Sequence, residues 1–267
     1  MRGGIDRLTN DISQRTRGFL KDIRCRVRYC HVAMRHRVFE PTRESALIIA
    51  PHPDDETFAC GGIIACKRSL GIPVVIIVLT SGENVFDRPS TWEVVSKIRQ
   101  QQLISACNRL GVDSKSIYLL HLKDGIIDQL SGQELLEVVE FLSSVMKTHC
   151  PGEVFCPHPE DFHRDHVFAH RLTQMALKRS GIQANIFLYL IWGWYHGRRG
   201  LVKRLEDTKA VLVDFKSQAV AKALAVDIYT GPPYATEGVP YCGNLPRSLL
   251  DMFRRTRELF FHGSIDT

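Results

Sequence analysis

From residue 44 onward, short unbroken apolar runs alternate with stretches in which apolar residues recur every three or four positions. The runs 46–50, 74–79, 116–120, 154–156, 186–191 and 210–214 are strand-sized, while 61–70, 91–110, 133–148 and 165–180 carry the helical period. In the second of these helices Val94, Val95, Ile98, Leu103, Ile104, Cys107 and Leu110 fall on the repeat, and Gly111 follows as a stop. Strands that are apolar at every position, rather than at alternate ones, are expected where both faces of a parallel sheet are covered. The alternation predicts an α/β fold: a Rossmann-like open, mainly parallel sheet with helices on both faces, and any site at the carboxyl ends of its strands.

The two ends of the chain read differently. Residues 1–43 hold 11 Lys and Arg against 4 Asp and Glu, so the formal charge of +6 on 267 residues comes from a basic N-terminal extension and the remainder is close to neutral. Such an arm suits anionic lipid, nucleic acid, an acidic partner or plain solvation. Nucleic acid ranks last, because the body has no recognition motif and no net positive charge. The domain proper is read as 44–230, with 231–267 as a segment of the same domain that covers the sheet edge or closes over a pocket. Within it, Leu249, Leu250, Phe253, Leu259, Phe260 and Phe261 fit a helix over 246–262, either interfacial or docked on the core. No run approaches the roughly 20 apolar residues of a membrane span, and the N-terminus lacks the apolar core of a secretory signal. The eight cysteines form no CxxC pair and most lie in apolar runs. Free thiols in a reduced, cytoplasmic setting are expected, with Cys25 and Cys30 of the basic arm the most exposed.

Two polar clusters carry the chemistry. After the first strand of this series comes Pro51-His52-Pro53-Asp54-Asp55-Glu56, and after the fourth Pro157-His158-Pro159-Glu160-Asp161-Phe162-His163-Arg164-Asp165-His166. Three acids and a histidine within five positions would repel one another in a desolvated loop, so a cation is their natural partner. His52 and Asp55 can converge on one metal and leave Asp54 free. His163 and His166, three apart at a helix start, share a face, with Asp165 between them to orient an imidazole. Both clusters lie at carboxyl ends of strands, and His, Asp and His with an open fourth position form the pattern of a catalytic zinc. The bland alternative is a set of solvated turn residues, with Asp55 or Glu56 capping the next helix. His121, His149, His158, His170 and His196 lack carboxylates at ligand spacing. Trp192, Trp194 and Tyr195 suit either sugar stacking or core packing.

These paired motifs resemble the PIG-L/LmbE-type zinc N-deacetylases, over residues 46–229. Lesser marks are Leu79-Thr80-Ser81-Gly82-Glu83, Arg99, Leu110-Gly111, Lys123-Asp124-Gly125 and the stretch from Lys222 to Tyr229. The resemblance implies a metal-dependent hydrolase that removes the acetyl group from an N-acetylglucosamine unit of a glycoconjugate, releasing acetate and a free amine. It further implies that His52, Asp55 and His166 bind Zn2+, that Asp54 is the general base, and that His163 stabilises the oxyanion or protonates the leaving amine with Asp165 holding its ring. Iron(II) fits the same ligands. Arg99 and Asp124 match positions that touch the sugar. Gln102 stands where the family has Glu, Thr230-Gly231 where it has Ser-Gln, and Arg164 where Pro is common. Arg164 adds a positive charge that points to an anionic substrate or is simply an exposed helix-start residue. The implied partner is a small-molecule or lipid-linked amino sugar, the latter met peripherally at the inner face of a membrane. An amidase on a non-sugar N-acyl group and a non-catalytic sugar-binding protein are the alternatives.

Overall fold

The apolar runs assemble into one eight-stranded sheet. Its strands are β1 (Val38–Phe39), β2 (Ala46–Ala50), β3 (Val74–Thr80), β4 (Ile117–Leu122), β5 (Glu153–Pro157), β6 (Asn185–Tyr189), β7 (Ala210–Asp214) and β8 (Arg257–Gly263), in the order β1-β7-β8-β6-β5-β2-β3-β4. The structure, a computed structural model, describes residues 2–36, 38–197, 200–206 and 209–265, with side chains from Thr16 onward apart from Glu206. All neighbouring strands are parallel except β8, which runs antiparallel to both β6 and β7. Every residue of β2, β3 and β5 is buried, as the apolar runs 46–50, 74–79 and 154–156 require of strands covered on both faces, and the one charge among them, Glu153, is paired with Lys67.

The helices are α1 (Arg2–Ala33), α2 (Asp55–Ser69), α3 (Trp92–Arg109), α4 (Gly132–His149), α5 (Arg164–Ser180), α6 (Trp192–His196), α7 (Leu201–Glu206), α8 (Ala219–Thr230) and α9 (Arg247–Phe253). From β2 the chain steps outward through α2, β3 and α3 to β4, then returns through α4 to β5 on the other side of β2. Right-handed crossovers in opposite directions put α2 and α3 on one face and α4 and α5 on the other. The reversal makes the gap between the ends of β2 and β5 the topological switch point of the sheet, where open α/β folds place their ligands. Both polar clusters leave the sheet there.

The structure departs from the sequence pattern in three places. The segment 246–262 is not one helix: α9 ends at Phe253, and 257–263 form β8 inside the sheet, with Phe260 and Phe261 fully buried. The C-terminal segment is thus part of the sheet's interior as well as a cover. Helix α2 starts at Asp55 rather than at residue 61, because Asp54 O already accepts from Thr57 N and Phe58 N. Gly62 consequently lies within the helix, where an added Cβ would stand 2.2 Å from the Phe215 ring.

The third departure concerns residues 1–43. Most of this segment is α1, whose inner face buries Cys25, Tyr29 and Val32 against the body. Arg28 donates to the carbonyls of Trp194 and Gly197, at 3.1 and 2.7 Å, and β1 pairs with β7. The basic segment is therefore docked over its described side chains, not a free arm. Cys25 is buried and Cys30 half-buried, so Cys150 is the exposed thiol among the eight. Burial pushes Cys156 and Cys242 up to about 12. At pH 8 their thiolate populations fall on the order of 10³-fold below that of an ordinary cysteine. A thiol reagent applied to the folded protein is expected to modify Cys150 first, as read by peptide mapping; early labelling at Cys25 or Cys156 would contradict this packing. Among the described residues, no helix is long and apolar enough to cross a membrane.

Candidate active site

The loop after β2 turns sharply at Asp54, which has φ 131° and ψ −32°, a region that non-glycine residues rarely enter. Glu56 braces it. One carboxylate oxygen of Glu56 accepts from Asp54 N at 2.9 Å; the other accepts from the hydroxyls of Thr57 at 2.6 Å and Tyr229 at 2.9 Å. The turn projects the Asp54 carboxylate into a cavity of about 380 Å³ and leaves Asp55 to open helix α2 with its side chain directed at the histidines.

His52 Nδ1 lies 3.2 Å from Asp55 Oδ2, and His166 Nε2 lies 3.3 Å from the same oxygen. Donors bound tetrahedrally at 2.0–2.1 Å from a zinc-sized ion stand roughly 3.3 Å apart, so the three are spaced as ligands of one metal. The protonation pattern agrees. His166 Nδ1 is held by Asp161 Oδ2 at 2.7 Å, which makes it the N–H and turns the lone pair of Nε2 inward. That Nε2 is buried and has no hydrogen-bond partner, as a metal-ligating nitrogen should be. His52, His163 and Asp165 form a second grouping with metal-compatible spacing.

The electrostatics are those of an acidic nest around imidazoles. Burial disfavours charge on His52, yet Asp124, Asp165 and Asp55 outweigh it and raise its pKa well above the ordinary histidine value. Burial likewise opposes charge on His166, and Asp55 and Asp161 raise it. Burial would raise Asp55, but His166 and His52 hold it down to about 2. Burial pushes Asp54 up to about 8 against the pull of Arg99, whose Nη2 is 2.7 Å from Asp54 Oδ2. His163 goes the other way: burial, then the positive charge of His52 and His166, lower it to about 4. A site that concentrates this much carboxylate calls for a cation.

Most of the residues singled out in the sequence converge here, though not all as expected. Asp124 lines the cavity, 3.0 Å from His52 Nε2. Arg99 also lines it, but its guanidinium is buried on Asp54 and on the carbonyls of Pro53 and Gly82. Asp165 meets His163 through its backbone, N–H to Nδ1 at 3.3 Å, whereas its carboxylate faces His52 Nε2 at 3.2 Å and accepts from Gly125 N at 2.8 Å. Arg164 does not line the cavity; its exposed guanidinium pairs with Asp128 at 2.6 Å, which removes the unpaired positive charge that suggested an anionic substrate. The sequence reading missed Asp161, Glu56 and the rim formed by 242–245. A signal was present for the first two, since both are acids inside the quoted motifs. The rim has no local signature.

His158 is buried beside the second cluster, 5.4 Å from the Phe261 ring centroid, and burial lowers its pKa to about 4. The unfolded chain, at about 6.5, binds more protons between these values, so stability falls as pH drops through that window. The loss attributable to this side chain is about 2 kcal/mol between pH 8 and pH 5. His158→Gln is expected to flatten that portion of the pH dependence of the urea midpoint, and an unchanged slope would contradict it.

Comparison with known proteins adds to this geometry. The family model described as GlcNAc-PI de-N-acetylase, PIG-L, matches residues 47–177. A probable N-acetyl-alpha-D-glucosaminyl L-malate deacetylase 2 of Bacillus subtilis is 31% identical over 119 residues, 41% of this chain and 53% of that protein. A 1D-myo-inositol 2-acetamido-2-deoxy-alpha-D-glucopyranoside deacetylase of Mycobacteroides abscessus is 28% identical over 162 residues, 53% of this chain and 58% of that protein. The chain thus spans between half and three-fifths of the length of these curated relatives. Among solved structures, the N,N'-diacetylchitobiose deacetylase from Pyrococcus horikoshii shares the fold, with a TM-score of 0.55 at 22% identity over 69% of this chain and 68% of that one.

Proposed function

Because the chain carries a PIG-L family domain over residues 47–177, we propose that it is a metal-dependent N-deacetylase acting on an N-acetylglucosamine-type sugar of a glycoconjugate. The observation that carries the reading is the convergence of His52, Asp55 and His166 around one point, beside a carboxylate, Asp54, that stays outside the set. The names of its relatives, deacetylases of N-acetylglucosaminyl malate and of an inositol-linked acetamido sugar, supply the substrate class. We take 44–230 together with 231–267 as the catalytic domain.

In this reading His52, Asp55 and His166 hold Zn2+, which when bound supplies Lewis acidity and water activation. The chain's own residues do the rest. Asp54, fixed by the Glu56 brace and aimed by Arg99, accepts the proton of the attacking water; the charge of a cation held by the neighbouring Asp55 would add to the pull of Arg99 and keep Asp54 ionised against its burial. His163 is neutral near pH 7; its Nδ1 accepts from the Asp165 N–H, so Nε2 carries the proton and is a hydrogen-bond donor for the carbonyl oxygen as charge develops. Having released its proton load to the leaving amine, Asp54 returns to the carboxylate form. Asp124 and the carboxylate of Asp165 flank His52 Nε2 and keep that ring oriented. Trp192 and the 242–245 rim border the space left for the sugar. A lipid-linked conjugate met at a membrane surface is the form of substrate that the basic N-terminal segment favours.

The test is amine release by metal-loaded protein from N-acetylglucosamine conjugates that differ only in aglycone, set against non-sugar N-acetyl amides. Turnover confined to the sugars supports the proposal. Preferential turnover of the amides would make the protein a general amidase, and saturable sugar binding without turnover would make it a binding protein.

A further inference from the structure

Helix α1 has two apolar faces, and the body covers one of them. Opposite the buried Cys25, Tyr29 and Val32, the residues Phe19, Ile23, Val27 and Met34 stand at spacings of four, four and seven, with Leu20 beside them. At 100° per residue these five share one stripe, centred about 180° from the docked face. They are 65%, 42%, 60%, 79% and 45% exposed in the order named. A contiguous row of large apolar side chains in water marks an interaction surface.

The flanks of the stripe decide what it meets. Arg17 and Arg24 border one side, Arg26 on the other side pairs with Asp251, and no Asp or Glu falls within the stripe. At the C-terminal end of α1 the stripe runs into a groove of about 550 Å³, with Ala33, Met34 and Leu212 as apolar lining and Lys216, Arg254 and Arg255 around it. Arg254 pairs with Asp227 and Lys216 lies 3.9 Å from Asp214, whereas Arg255 lies over the Tyr29 ring, 5.0 Å from its centroid. A second copy of the chain would bring basic flank against basic flank, so the charge favours an anionic occupant over self-association.

We propose that this face of α1 docks on the surface of an anionic lipid bilayer, the stripe entering the headgroup boundary and the flanking cations lying at the level of the phosphates. The surface rests on its own observations and stands whether or not the deacetylase reading holds.

The experiment is co-sedimentation of the full chain with sucrose-loaded vesicles of phosphatidylcholine alone or with 30% phosphatidylserine (about one lipid in three, enough for an appreciable surface potential). Binding is expected to the mixed vesicles and to weaken strongly as salt rises. The double variant Phe19→Glu with Val27→Glu, at two exposed positions, is expected to lose roughly tenfold or more of that partition while keeping its far-UV spectrum and its turnover of a soluble substrate. Arg17→Gln with Arg24→Gln is expected to lose a similar factor and to flatten the salt dependence. Absence of vesicle binding, equal binding by the Phe19/Val27 variant, or a dimer of the wild type abolished by that variant would each overturn the proposal, as would salt-sensitive binding to an acidic polypeptide without binding to vesicles.

Discussion

Asp54→Asn is expected to bind metal normally and to lose about 10²–10⁴-fold in kcat, the range over which a positioned general base contributes. The expectation rests on geometry. Asp54 is outside the His52, Asp55 and His166 set, so its exchange for an isosteric amide leaves all three donors in place. The backbone at φ 131° stays braced by Glu56 through the Asp54 N–H, which the substitution does not touch. What disappears is the proton acceptor. Arg99 also loses its ionic partner and keeps only neutral acceptors, the carbonyls of Pro53 and Gly82 and the new amide oxygen. Removing one partner of a buried pair costs about 3–5 kcal/mol, so the melting temperature should fall as well. Kinetics on metal-loaded protein below that temperature separate the two effects. Full turnover by a folded, metal-loaded Asp54→Asn protein would show that another group takes the proton.

Asp161→Asn carries the second large effect, and it acts on the metal. Asp161 is fully buried, and its carboxylate holds His166 Nδ1 at 2.7 Å while accepting from the backbone N–H groups of Ile191 and Gly193. The carboxylate makes Nε2 a stronger donor and fixes which nitrogen is the lone pair. The amide keeps the shape and one acceptor but loses the charge, and affinity for metal is expected to drop about 10–100-fold. Competition with a chromophoric chelator measures it. Excess metal should restore most of the lost turnover in Asp161→Asn but none in Asp54→Asn; the reverse pattern would exchange the roles assigned to the two acids.

The parts of the molecule that could be read from the chain are those in which the signal is local. The runs 46–50, 74–79 and 154–156 of β2, β3 and β5 are apolar at every position because helices cover both faces, and the site residues His52 with Asp55, and His163 with His166, come as pairs three residues apart. β8 obeys the same strand rule, but its Leu259, Phe260 and Phe261 follow Leu249, Leu250 and Phe253 of α9 across 254–256. With no Gly or Pro in that break, a helical period could be drawn through both. The docking of α1 was hidden by charge: its inner face carries Arg28, whose cost of burial is met by three backbone carbonyls that only the fold brings together. The same limit holds within the site. Arg99 reaches Asp54 from 45 positions away and Tyr229 reaches Glu56 from 173, so the tuning of the base and the bracing of its turn are tertiary facts. Arg164, by contrast, sits in the motif and still misses the cavity, because Asp128 holds it outside.

If metal held by His52, Asp55 and His166 and a proton acceptor at Asp54 together cleave an N-acetyl amide, turnover must follow the metal. Acetate release from an N-acetylglucosaminyl conjugate, followed for one preparation before chelation, after complete metal removal and after Zn2+ is restored, tests it most directly. Turnover is expected in the first state, a loss on the order of 10²-fold or more in the second, and recovery in the third. Undiminished acetate release by fully metal-free protein would contradict it.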